Sequence, residues 1–237
     1  TRDGVRAVTT GPTKPAVTLW DISPTISPQA PIFPGDEPYA VRETAAIGPG
    51  CPVNLTALTL SPHIGAHVDA PVHFSSDGGD AASLPLEPFL GVCRVVHLIS
   101  DAPDRLIGVA ELADALGVDV GSEREGDGHG IPERVLVRTR HEALTVWRND
   151  FAAFDAGAIR WLATRGVTLV GIDTPSVDPA ESKDLPAHQA LRETGIVNLE
   201  NLGLDEVAAG DYELVALPLK LAGACASPVR AILRTLR

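Results

Sequence analysis

His63, His67, Asp69 and His73 fall within eleven residues of a chain that contains only seven histidines. Imidazole nitrogens and carboxylate oxygens form the ligand set that suits zinc or manganese. A single histidine is more often a satisfied core or loop residue than a ligand, but four metal-capable side chains this close together favour a metal site. The segment therefore predicts a bound metal ion and chemistry that uses it.

The spacing of the cluster favours a loop or a strand end over a helix. His63 and His67 are four residues apart, which on a helix would place both on one face, as in the H-E-x-x-H metalloproteases. Here the glutamate is missing, Gly65 lies between the two histidines, and prolines flank the run. Because glycine and proline interrupt helices, we expect the cluster to follow the end of a strand predicted for residues 53–60.

A metal centre that activates water often uses more ligands than one short segment provides, so further ligands are expected elsewhere in the chain. Among the four remaining histidines, His188 stands out because an apolar stretch that contains Glu200 follows it. A buried carboxylate needs a partner, and a metal ion is one such partner. His188 and Glu200 are therefore candidate ligands.

Length and composition predict one large domain. The chain has 237 residues and 44% hydrophobic composition, which is enough for a sizeable core. Residues 1–15 are polar and lack periodicity, so we expect a flexible tail there and one domain over residues 16–237. The net charge of -12 would repel phosphate backbones and anionic lipids, which argues against nucleic acid and membranes as partners.

The three cysteines and the hydropathy pattern predict a cytoplasmic protein. The cysteines are widely separated and have no C-x-x-C spacing, so neither a disulfide framework nor a thiolate zinc site is indicated. No run of about 18 apolar residues is present, and no apolar signal-peptide segment precedes the domain. We therefore expect neither a membrane span nor secretion.

The elements that must position these side chains have an α/β pattern. Short apolar runs between turn signals predict strands at residues 18–22, 53–60, 91–99, 134–139, 167–173 and 212–218. Helical spacing is found at residues 108–116, 156–165 and 187–193. The early strands are separated by long non-helical stretches, which argues against a regular βαβ array.

These residues together resemble a known family. The pattern H-x-G-x-H-x-D-x-P-x-H from His63 to His73, with the later His188 and Glu200, resembles the bacterial kynurenine formamidase (arylformamidase) branch of the cyclase-like metal hydrolases. The resemblance runs from about residue 19 to the end of the chain. It includes residues 20–24, 33–36, 171–176, 210–214 and 227–230.

The resemblance implies a fold, an assembly and a metal centre. The fold would be α/β, a single domain with a central β-barrel-like or swivelling β/β/α core, and the assembly a homodimer with sites near the subunit interface. His63, His67 and Asp69 would bind the first of two zinc ions. Asp69 would bridge to the second ion, which His188 would bind, and Glu200 would contact one or both.

The resemblance also implies a reaction. The enzyme would be an arylformamidase that hydrolyses N-formyl-L-kynurenine to L-kynurenine and formate, in tryptophan degradation by the kynurenine pathway. His73 would be the proton donor and acceptor. Phe33 would be the substrate-facing aromatic residue, in the place where the family usually has tryptophan. The sequence has no G-x-S-x-G motif, which argues against a serine-hydrolase route to the same products.

Three other functions are compatible with the same residues. A related amidase or lactamase, such as an enzyme that opens the isatin ring, would use the same ligands and could take manganese. A non-catalytic metal-binding protein would hold ions without an open position for water. A structural or interaction protein would bind no metal.

Overall fold

The computed structural model describes residues 17–121 and 130–236, so the tail predicted for residues 1–15 lies outside the described part. The described residues form three α-helices and thirteen strands. The helices are α1 (Val109–Leu116), α2 (Ala156–Thr164) and α3 (Pro186–Thr194). The strands are β1 (Leu19–Asp21), β2 (Ala40–Ala45), β3 (Leu55–Thr59), β4 (His67–Asp69), β5 (Leu90–His97), β6 (Leu106–Ile107), β7 (Arg134–Arg138), β8 (Ala153–Phe154), β9 (Leu169–Ile172), β10 (Val197–Leu199), β11 (Gly210–Val215), β12 (Ala226–Pro228) and β13 (Ile232–Thr235).

Seven of these strands form one mixed sheet with the order β1-β13-β11-β5-β7-β9-β10. The first three pairings, from β1 to β5, are antiparallel, and the last three, from β5 to β10, are parallel. The sheet is curled into a half-barrel. The prediction of an α/β fold with a mixed, barrel-like sheet is therefore confirmed.

The central strands of the sheet are buried on both faces. Val95 and Leu136 pack into one apolar cluster, which includes residues of β4 and β13, whereas Val96 and Val137 pack into a second cluster formed with the three helices. This division follows from the two-residue repeat of a strand, which directs neighbouring side chains to opposite faces. All three helices therefore contribute to the second cluster, and the histidine-rich segment packs into the first.

Local sequence signals set the ends of the helices. Asp155 caps α2 by accepting a hydrogen bond from the amide of Gly157 at 2.7 Å. Gly117 ends α1 in the left-handed conformation that glycine adopts without a steric penalty. Each helix has only eight or nine residues, and none in the described part of the chain is long and apolar enough to cross a membrane.

All six predicted strands and all three predicted helices are present, with ends that differ by one or a few residues. The sequence pattern missed several shorter strands, including β4 and β12. Each of these has three residues and pairs with the other in a separate two-stranded sheet. Three residues are too few for an alternating pattern to be recognised, and β4 has two charged or polar members.

Candidate metal centre

The histidine-rich segment turns sharply between its first two histidines. Gly65 has a φ of +65°, and a Cβ atom at this position would lie 2.9 Å from Cγ1 of Ile26. Both the backbone conformation and the space therefore require glycine. The turn places His63 in the loop before β4 and His67 at the first position of β4, so that the two rings meet with their centroids 5.1 Å apart.

Backbone pairing brings Glu200 beside this segment. The amide of His67 donates to the carbonyl of Glu200 at 3.3 Å, and the amide of Glu200 donates to the carbonyl of His67 at 3.0 Å. Glu200 directly follows β10, the last strand of the large sheet. An antiparallel bridge between two distant parts of the chain thus places the Glu200 carboxylate against the His67 ring.

The N-terminus of α3 supplies the third part of the site. His188 lies in the first turn of this helix, where the amides of Ala187 and His188 have no partner within the helix. The buried carboxylate of Asp178 accepts hydrogen bonds from both amides at 2.9 Å, and also contacts Nδ1 of the His188 ring at 2.7 Å. Asp178 therefore caps the helix and orients the ring, so that Nε2 faces Asp69.

The side chains from the three parts converge on two carboxylates. Oδ1 of Asp69 lies 3.0 Å from Nδ1 of His63 and 3.5 Å from Nε2 of His67, whereas Oδ2 lies 3.2 Å from Nε2 of His188. Oε2 of Glu200 lies 3.3 Å from Nε2 of His67, and Oε1 lies 3.8 Å from Nε2 of His188. Each carboxylate thus directs one oxygen towards His67 and the other towards His188.

The cluster has the properties of a metal site. Nε2 of His67 and Oδ1 of Asp69 are buried, and among the described residues their close contacts, including the 3.0 Å contact of Oδ1 with Nδ1 of His63, lack hydrogen-bond geometry, which is costly unless a cation contacts them. Nδ1 of His67 contacts the carbonyl of Gly65 at 3.0 Å, so this nitrogen carries a proton and Nε2 is the nitrogen that can offer its lone pair to a metal ion. For ligands at about 2.0–2.2 Å from a tetrahedral ion, neighbouring donors lie about 3.4 Å apart, which is close to the distances seen here.

The electrostatics of the site also favour a cation. Burial disfavours the charged form of His67, but its contacts with Asp69 and Glu200 outweigh burial and raise the pKa of His67 to about 10. The pKa of His188 is likewise raised to about 10, against the effect of burial, by Asp178 and Asp69. Burial alone would raise the pKa of Asp69, yet the surrounding histidines hold it well below its usual range. Carboxylates that stabilise protons on two buried imidazoles can stabilise a metal ion in place of those protons.

His73 lies beside the cluster but is more accessible than the other members. It ends a short 3-10 helix (Pro71–His73), and its ring centroid lies 4.3 Å from that of His63 and 5.8 Å from that of His188. Burial is the largest influence on its pKa, which is lowered from the ordinary value of 6.5. The His73 ring is therefore neutral near pH 7 and able to accept a proton.

The cluster opens into a cavity of about 350 Å³. Phe33 lies on its rim with 54% of its surface exposed, and packs edge to face against Trp147 with the ring centroids 5.2 Å apart. Phe151 extends this aromatic wall behind Trp147. The cavity thus joins an aromatic wall to the metal-binding side chains, which suits a small aromatic molecule.

The structure brings together all the site residues predicted from the sequence: His63, His67, Asp69, His73, His188, Glu200 and Phe33. Sequence reasoning missed Asp178, Asn198 and Trp147. The Asn198 amide donates to Asp69 at 2.7 Å and to Glu200 at 3.0 Å. A signal for Asn198 existed, because it precedes Glu200 by two residues and so shares one face of a strand with it. Asp178 and Trp147 had no comparable signal.

Comparisons with known proteins identify the family. The Cyclase family model matches residues 20–179. The kynurenine formamidase of Bordetella pertussis is 53% identical over 219 residues, which cover 92% of this chain and 98% of that protein. The kynurenine formamidase of Delftia acidovorans is 51% identical over 218 residues, with the same shares covered. The chain belongs to the kynurenine formamidase branch of the Cyclase family.

Solved structures show the same fold. A potential metal-dependent hydrolase with cyclase activity superposes with a TM-score of 0.74 at 27% identity, covering 94% of this chain and all of the other. Isatin hydrolase A from Labrenzia aggregata superposes with a TM-score of 0.73 at 24% identity, covering 93% and 94% of the two chains. At that identity, the likeness to isatin hydrolase concerns the fold alone.

The role of Asp178 can be tested through metal affinity. Replacing Asp178 by asparagine removes the charge that orients His188, and loss of such a partner typically weakens metal binding about 10- to 100-fold. We expect Asp178→Asn to show that loss in a competition titration against a chromophoric chelator. Asp77→Asn is the matched control, because Asp77 is an exposed carboxylate that also contacts α3, through Arg192. Equal affinities in the two variants would contradict the role of Asp178.

Proposed function

We propose that this protein hydrolyses the formamide bond of N-formyl-L-kynurenine and releases L-kynurenine and formate. The observation that carries the proposal is the convergence of five buried or half-buried metal-binding side chains on one end of an aromatic cavity, with His73 beside them. The proteins named kynurenine formamidase share about half of their residues with this chain and align over nearly their whole length. This reaction serves tryptophan degradation.

We further propose that the site holds two zinc ions. His63 and His67 would bind one ion on the Oδ1 side of Asp69, and His188 would bind the other on the Oδ2 side. Asp69 would bridge the pair, and Glu200 has one oxygen directed to each side. Nitrogen and oxygen donors at this spacing suit zinc, and manganese takes the same donor types.

The metal ligands and His73 then have different roles in the reaction. A bound metal ion supplies a water nucleophile that is activated at neutral pH. His73 accepts the proton that this water loses as it attacks the formyl carbon. His73 then returns the proton to the aniline nitrogen as the carbon–nitrogen bond breaks, so that the amine leaves neutral. The lowered pKa of His73 leaves its ring unprotonated and available for the first transfer, and it makes the protonated ring a stronger acid for the second.

The cavity offers complementary contacts for the remainder of this substrate. Phe33 and Trp147 present aromatic surfaces to the aryl ring. Lys183 and Asp36 also line the cavity, and they supply one positive and one negative charge that the metal ligands do not use. The amino-acid end of formylkynurenine carries a carboxylate and an ammonium group, which match these two charges. Isatin lacks both groups.

An exposed two-stranded ribbon supports the proposal of a homodimer. Within residues 17–121 and 130–236, strands β2 and β3 pair only with each other, and almost every residue in them is exposed. Val41 and Leu58 are cross-strand partners with 51% and 58% of their surfaces exposed. An isolated ribbon of this kind is marginally stable, and exposed apolar residues mark association sites. We propose that a second copy covers this ribbon in the cytoplasm.

The substrate assignment can be tested by comparing three compounds with metal-quantified protein. We expect rapid hydrolysis of N-formyl-L-kynurenine, weaker hydrolysis of formanilide, which lacks the amino-acid group, and little opening of the isatin ring. Kynurenine release can be followed by its absorbance, and formate with a coupled dehydrogenase. Preferential turnover of isatin would replace the proposal with a lactamase. Metal-loaded protein that cleaves none of the three compounds would support a non-catalytic metal-binding protein.

The different roles of His73 and His67 predict different effects of two alanine variants on metal content and turnover. His73→Ala should retain the metal content of the native protein but lose about 10²- to 10⁴-fold in kcat, the usual contribution of a general acid and base. His67→Ala should lose metal, which atomic emission of the dialysed protein would show. His141→Ala, at an exposed histidine outside the cavity, is the control. Unchanged turnover in His73→Ala would remove the assigned role.

The dimer proposal predicts that a charge on the ribbon separates the subunits. Because aspartate at position 41 or 58 would bury a charge in the proposed interface, Val41→Asp and Leu58→Asp should shift the protein to the monomer mass in sedimentation velocity. Leu86→Asp introduces the same charge at a residue that is also 54% exposed but lies outside the ribbon, and should leave the mass unchanged. Monomeric wild-type protein would contradict the proposal directly.

A further inference from the structure

The two ring nitrogens of His63 face different partners. Nδ1 lies 3.0 Å from Oδ1 of Asp69, inside the cluster described above, whereas Nε2 lies 3.4 Å from Sγ of Cys225. The His73 ring packs beside the His63 ring, with the centroids 4.3 Å apart. Donor atoms of His63, His73 and Cys225 all lie within 4.8 Å of one another. A second group of metal-capable side chains therefore adjoins the first.

The geometry of this second group suits a thiophilic metal ion. With a zinc–sulfur distance of about 2.3 Å and a zinc–nitrogen distance of about 2.0 Å, a tetrahedral ion holds sulfur and nitrogen about 3.5 Å apart. The separation of Sγ and Nε2 is 3.4 Å. One thiolate and two imidazoles are strong ligands for zinc and related ions, and they leave a fourth position for water.

Backbone pairing holds Cys225 in place independently of its side chain. Cys225 immediately precedes β12, which pairs with β4, and its carbonyl accepts a hydrogen bond from the amide of Ala70 at 2.9 Å. The thiol is thus presented to His63 by the same small sheet that carries His67 and Asp69. Variants that change only the thiol leave these main-chain bonds intact, so they test the thiol itself.

We propose that His63, His73 and Cys225 form an inhibitory site for zinc and other thiophilic divalent ions. Coordination displaces the thiol proton and the proton on Nε2 of His63 into solvent, so that the His63 ring becomes an imidazolate shared with the ion proposed at Nδ1, and it occupies a lone pair of His73. An ion held there prevents His73 from moving the proton in hydrolysis. This consequence rests on the proposed function of His73, whereas the binding of the ion does not.

Binding can be measured without any assay of activity. The full-length protein is first saturated with zinc at the ligands around Asp69, and cobalt(II) is then added in excess. We expect a near-ultraviolet thiolate-to-cobalt charge-transfer band in the native protein and in Cys51→Ala, which removes another half-buried cysteine. The band should be absent from Cys225→Ala and Cys225→Ser. Absence of the band from native protein, or its persistence in both Cys225 variants, would overturn the proposal.

Inhibition is measured with formylkynurenine and rising zinc, each variant being normalised to its own turnover without excess metal. Loss of even an outer-shell partner typically weakens metal binding 10- to 100-fold, so Cys225→Ala should need at least about tenfold more zinc for half-inhibition. Equal zinc sensitivity in native protein and Cys225→Ala would refute the inhibitory role. If formylkynurenine proves not to be a substrate, the proposed function fails, but the cobalt band still decides the metal site.

Discussion

The site depends on the cost of burying carboxylates. Asp69, Asp178 and Glu200 are almost fully buried, and an isolated buried carboxylate is strongly unfavourable. Imidazoles surround these groups, and the raised pKa values of His67 and His188 show that the carboxylates attract a cation. A metal ion compensates the negative charge of the buried carboxylates in the same way, with two or more positive charges. Apolar residues of the first cluster, including Ala66, Val68 and Ala70, pack beside these carboxylates and limit their exposure to water.

Three separate parts of the chain must meet to bring these carboxylates and imidazoles into contact. The strand pair β4 and β12, the bridge between His67 and Glu200, and the N-terminus of α3 each contribute one part. Backbone hydrogen bonds join the first two parts, and Asp178 joins the third by capping α3 and orienting His188 together. Rigid elements thus position every buried ligand, which limits the reorganisation that accompanies metal binding.

The more accessible side of the site contrasts with the buried side. His63 and His73 line the same cavity as Phe33, and both adjoin the thiol of Cys225. A proton carrier must be reachable by substrate, so it cannot be enclosed as His67 is. The same accessibility leaves its lone pair open to other ions. The accessibility of His73 would therefore explain both its reach to substrate and the sensitivity of the enzyme to excess metal.

The sequence by itself determined the ligand types, the α/β class and the principal strands and helices. Four metal-capable residues within eleven positions indicated a common site, and Glu200 was conspicuous in an apolar stretch. Only the tertiary structure decided which oxygen of Asp69 faces each histidine, and that Asp178 and Cys225 adjoin the site. Cys225 is 162 residues from His63, and contacts at such separations arise from strand pairing, which leaves no local periodicity in the sequence.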